Sequence, residues 1–78
     1  MNPNIYVLEY SHKQDMFHIA ALGETKLNSN GYNSVHFAKD YDELVKIIKL
    51  IRSIYEHPTY EEIDLVISAF PNNQDTNL

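Results

Sequence analysis

Residues 40–57 carry one helical pattern whose apolar face is too wide for a chain of this size. Tyr41, Leu44, Ile48, Ile51 and Tyr55 recur at spacings of three and four, and that stripe alone would cover one face of a sheet. Val45, Ile47, Leu50 and Ile54 are apolar as well. At 100° per residue the apolar positions span an arc of roughly 220°, about twice what packing on one sheet requires. The surplus lies on the side of Ile47, Leu50 and Ile54. Asp42, Lys46, Lys49, Ser53 and Glu56 mark the solvent side, with Arg52 at its edge. Either a loop or a curled sheet edge covers the surplus, or a second chain does, since contiguous exposed apolar patches mark interaction sites.

The ends of this helix have their own signals. Asp40 is placed to accept the orphan amide of Glu43, and Glu43 to reach back to the amide of Asp40, a capping box with Asp at its head. Asp42 and Glu43 set negative charge at the positive end of the helix dipole. Pro58 stops the pattern and biases His57 away from helical geometry.

Before the helix, residues 5–11 and 16–22 read as strands joined by the polar loop His12-Lys13-Gln14-Asp15. The second strand can run on through Gly23 to Leu27, with Gly23 marking a bulge or bend. Asn28-Ser29-Asn30-Gly31 follows, and Asn-Gly is the strongest short hairpin signal because a type I′ turn needs positive φ at both central residues. Residues 32–38 then form a third strand, with Val35 and Phe37 on one face and Ser34 and His36 on the other. Beyond Pro58, residues 62–70 alternate: Ile63, Leu65, Ile67 and Ala69 share one face, so a fourth strand is expected.

The expected class is therefore α+β, in the order β-β-β-α-β. It has a four-stranded, mostly antiparallel sheet with one helix packed on one face. The right-handed crossover rule brings the last strand back parallel to the first and third. The first strand is nearly all apolar and suits a central position, giving strand order 3-2-1-4; a last strand beside the third is the alternative. Tyr6, Leu8 and Tyr10, with Phe17 and Ile19, are expected beneath the helix. Val7, Glu9, His18 and Ala20 then share the outer face. Residues 1–70 make a single domain, and the Asn-rich, polar residues 71–78 are expected to be a disordered tail.

Seventy-eight residues without cysteine bury a core that is only marginally sufficient, so association with another chain is energetically attractive. The net charge of −5, with one Arg and five Lys, disfavours direct nucleic-acid binding and permits docking on a basic protein surface. The N-terminus lacks the charged and apolar regions of a signal peptide, and no run is long enough to span a bilayer. The chain is expected to be cytoplasmic and free of the membrane.

The signals for catalysis and metal binding are weak. His12, His18, His36 and His57 form no metal motif, although His18 and His36 would approach if their strands shared one face. Asp40, Asp42 and Glu43 are accounted for by capping, and Glu56, Glu61, Glu62 and Asp64 by a solvated face. No serine has a nucleophile-elbow pattern, and two glycines make no phosphate loop. No catalytic residue and no cofactor is expected. Among the six tyrosines, Tyr32 at the turn and Tyr60 in the loop are expected to be exposed, and Tyr is favoured at interfaces.

The sequence thus points first to a small acidic, non-catalytic protein that binds another protein with a basic surface and acts by steric occlusion. Ile47, Leu50, Ile54, Tyr32 and Tyr60 are its expected anchors, and Asp42, Glu43, Glu61 and Glu62 its steering charges. In size, charge and expected element order it is similar to small viral and plasmid proteins that block host machinery, some anti-CRISPR inhibitors of defence complexes among them. No motif residue carries that similarity, and fold does not imply function. A homodimeric structural or regulatory module is the first alternative. A small-molecule or metal-binding domain using His18, His36 and nearby acids is the second.

Overall fold

An apolar strand in a small sheet is most stable with a neighbour on each edge, and β1 (Tyr6–Ser11) has two: β2 (Met16–Ala21) and β3 (Tyr32–Ala38). The structure, a computed structural model, describes residues 5–25 and 29–70. Its sheet has three strands in the order β2-β1-β3, both pairings antiparallel. Two helices follow, α1 (Tyr41–Ile54) and α2 (Tyr60–Ala69). The α+β class holds, but the order is β-β-β-α-α, and the strand order 3-2-1-4 is replaced. β3 occupies the edge of β1 that the expected fourth strand was to take.

In place of that fourth strand stands a helix, opened by a complete capping box. The Thr59 hydroxyl accepts from the Glu62 amide at 3.1 Å, and the Glu62 carboxylate accepts from the Thr59 amide at 3.0 Å. This reciprocal box satisfies two amides at the start of the helix, the Glu62 amide being one that has no partner within the helix. Ile63, Val66, Ile67 and Phe70 then fall at helical spacing and meet the core. The alternating reading would have buried Leu65 and Ala69, which are both exposed.

The Asn-Gly turn exists without its hairpin. Asn30 and Gly31 have φ of 54° and 78°, and the Tyr32 amide donates to the Ser29 carbonyl at 3.1 Å. This is the type I′ arrangement. β2, however, ends at Ala21 and turns into a single 3-10 turn, Leu22–Glu24, so it does not continue through Gly23. The strand after the turn pairs with β1 instead.

The two faces of the sheet are set by β1. Tyr6, Leu8 and Tyr10 point to the helices with Phe17 and Ile19, as expected. Val7, Glu9, His18 and Ala20 share the outer face. On β3 a bulge breaks the alternation. Leu8 pairs with His36 and Glu9 with Ser34, which leaves Val35 as the extra residue. His36 is thereby turned to the helix side, while Ser34 and Phe37 stay on the outer face.

α1 keeps its expected start and stops early. The Asp40 carboxylate accepts from the Asp42 amide at 3.0 Å, while the Glu43 amide donates to the Asp40 backbone carbonyl at 3.1 Å, so the expected capping box reduces to a one-way side-chain cap. Tyr55 is extended at φ −127°, ψ 133°, three residues before Pro58. The core joins Leu8 and Tyr10 to Leu44, Ile47, Ile51, Ile63 and Val66. The helix that was to be the sole cover of the sheet thus shares that task with α2. Among the described residues no helix is long and apolar enough to cross a membrane. The tail read at 71–78 lies outside the described residues.

Candidate protein-binding surface

The surplus apolar arc of α1 divides in two. Ile47 is fully buried and joins Ile63 and Val66 of α2 in the core. Its apolar surface is spent inside the chain, and it leaves the candidate surface. Ile54 and Leu50 remain exposed, at 55% and 36%. They lie four residues apart, so they stand one turn above each other as a short apolar ridge. Tyr41 is exposed at the start of the same helix, where its ring meets Tyr6 edge-on at 5.5 Å.

Neither expected tyrosine anchor is free. Tyr32 is buried, because β3 sits beside β1 and turns this ring over the outer face. Its centroid lies 6.0 Å from that of His18, although the two residues sit on strands flanking β1. Strand axes two apart are separated by about 9.6 Å, so both rings lean inward. Beneath them Glu9 and Ser11 are fully buried, and Glu9 Oε1 lies 3.0 Å from His18 Nδ1.

Tyr60 is a structural staple. Its hydroxyl donates to the Tyr10 carbonyl at 2.9 Å and accepts from Asn33 Nδ2 at 3.0 Å and from the His12 amide at 3.3 Å. It ties the first turn of α2 to the ends of β1 and β3. The acidic residues divide in the same way. Glu62 is engaged in the cap and Glu43 approaches His36 Nε2 at 3.9 Å, while Asp42 and Glu61 face solvent.

One polar cluster among the described residues has no counterpart in the sequence reading. Asp15 stands at the end of the β1–β2 turn with φ 56°. Its carboxylate accepts from the Tyr10 hydroxyl at 2.8 Å and from Arg52 Nη1 at 2.9 Å, and lies 2.7 Å from His57 Nδ1. Arg52 Nη2 also donates to the Asp15 carbonyl at 2.9 Å, and its guanidinium lies 5.0 Å over the Phe17 ring. The Tyr10 hydrogen bond, then those of Arg52 and His57, hold the Asp15 carboxyl well below the usual carboxylate range. Burial, then the bond to Asp15, pushes the Tyr10 phenol well above its ordinary value. The cluster pins the β1–β2 turn to the end of α1. Its one sequence signal was that Arg52 is the single arginine of the chain.

A shared histidine site does not form. His18 and His36 lie on strands that are not neighbours, and the bulge at Val35 puts them on opposite faces. Among the described residues no group of three His, Asp or Glu side chains is placed to hold a metal ion. Comparison with protein-family models, curated proteins and solved structures gives no match.

Proposed function

We propose that this chain is a non-catalytic protein that works by binding another protein. The observation that carries the reading is the Leu50–Ile54 ridge, which stays exposed after α2 has covered Ile47. The helix cannot turn this ridge inward without withdrawing Leu44 and Ile51, both fully buried, from the core. The net charge of −5 supports a partner surface of opposite sign, approached through long-range attraction and held by apolar contact. Asp42 and Glu61 are the solvent-facing members of the proposed steering set. Occlusion of that basic surface is the proposed mechanism. A host defence complex as its target rests on size and charge, because the element order that suggested it is replaced by two helices.

The test is affinity capture from cells of the source organism, with Ile54→Glu as the matched control. A species held by the wild-type chain and lost with the variant is expected, with capture falling as salt rises. Equal capture by both chains refutes the ridge as the anchor. The homodimer reading has its own support, in the edge of the sheet described next.

A further inference from the structure

β2 ends the sheet with nothing among the described residues paired to its outer edge. Native edges are normally blunted by charge, proline or a bulge. β3 carries such a bulge at Val35. β2 has none of these devices: its six residues, Met16–Ala21, include no Lys, Arg, Asp, Glu or Pro, and its register with β1 is unbroken.

The hydrogen-bond phase of this edge follows from one bond. The Leu22 amide donates to the Ile5 carbonyl at 3.0 Å, and the β1–β2 register places these two residues opposite each other. In an antiparallel ladder such hydrogen-bonded pairs alternate with non-bonded ones. Val7 with Ala20 and Glu9 with His18 are then bonded pairs. The amides and carbonyls of Phe17, Ile19 and Ala21 therefore point away from β1, to the open edge.

We propose that this edge pairs with the same edge of a second copy of the chain, antiparallel and centred on Ile19. In that register Ile19 faces Ile19 of the second copy, and Phe17 faces Ala21. All the outward backbone groups of β2 are satisfied by a single two-fold axis. The same register sets Met16 opposite Leu22 of the second copy at both ends of the contact. These are the two apolar side chains of this edge left most open, each 52% exposed. No charged side chain of β2 meets its own copy, which matters for a chain of net charge −5. The product is a six-stranded sheet with all four helices on one side.

This inference is independent of the Leu50–Ile54 reading. Strand pairing buries less than the roughly 1,200–2,000 Å² of a standard interface. It therefore reads out as an equilibrium across about 10 μM to 1 mM, not as a permanent dimer.

Sedimentation over that range is the test, using wild type, Ala21→Pro and Ile54→Glu. Ala21 already has φ −65°, the value proline imposes, and its amide is not bonded to β1, so the variant keeps the monomer fold. It is expected to weaken dimerisation at least ~10-fold through the lost donors and the obstructed edge. Ile54→Glu is expected to dimerise as wild type. Hydrogen exchange on the wild type gives a second readout. The amides of Phe17, Ile19 and Ala21 are expected to slow as concentration rises, while those of His18 and Ala20 do not change. A strict monomer at 1 mM overturns the proposal, as does a dimer dissociated by Ile54→Glu but not by Ala21→Pro. Concentration-independent exchange at residues 17, 19 and 21 overturns it as well.

Discussion

Ile47→Ala tests whether the wide apolar arc of α1 is spent inside the fold. Ile47 is fully buried against Leu44, Ile51, Ile63 and Val66. The substitution removes three carbons, worth ~2.4 kcal/mol at 0.8 kcal/mol per buried methylene. The cavity left between α1 and α2 adds to this, and the better helix propensity of alanine returns a few tenths of a kcal/mol. The net loss is about 3 kcal/mol, within the range of measured buried Ile→Ala changes. Unfolding entropy of ~2.1 cal/mol/K per residue over 78 residues converts this to a fall in Tm of about 18 °C. The domain has on the order of 4–12 kcal/mol of total stability, so the variant stands near the edge of folding. The assay is urea unfolding followed by circular dichroism, at concentrations low enough to keep the chain monomeric. Ile54→Ala, at a position 55% exposed, is the internal control and is expected to change stability by less than ~0.5 kcal/mol. If Ile47→Ala costs less than ~1 kcal/mol, or no more than Ile54→Ala, then α2 does not cover that flank and the division of the arc is wrong.

Two further outcomes follow from the polar clusters. Tyr60→Phe leaves the Tyr10 carbonyl, the Asn33 amide group and the His12 amide without this partner, and is expected to cost ~1–3 kcal/mol. A loss below ~0.5 kcal/mol in urea unfolding would mean that the hydroxyl is not the staple of α2. The Asp15 carboxyl is held below its unfolded value, so the ionised group stabilises the fold above about pH 4 and this contribution fades as pH falls towards the folded value. Asp15→Asn should therefore be less stable than wild type at pH 7, with the gap narrowing at pH 3; a gap that is constant or widens in acid refutes the assignment.

The local chemistry of this chain was legible. Asp40 caps α1, Asn30 and Gly31 take the positive φ of their turn, and β1 is central with Tyr6, Leu8 and Tyr10 beneath the helices. Each follows from forces acting over a few residues or from the number of faces a strand must bury. The Thr59-x-x-Glu62 box was also written in the sequence, but the alternation of Ile63, Leu65 and Ile67 competed with it. Those positions fit a period of two, and Ile63, Val66, Ile67 and Phe70 fit helical spacing equally well.

The Asp15 cluster was beyond local reading, because its members lie 37 and 42 positions apart in the chain. The surplus on α1 is the clearest division between the two levels. The sequence by itself determined that Ile47, Leu50 and Ile54 exceed what one sheet can cover, since helical periodicity fixes which residues share a flank. Only the tertiary structure decided that α2 takes Ile47 and leaves Leu50 and Ile54 outside. Periodicity is set by bonds between neighbours along the chain. Burial is set by which distant segment arrives at a face, and that depends on every other contact the segment can make.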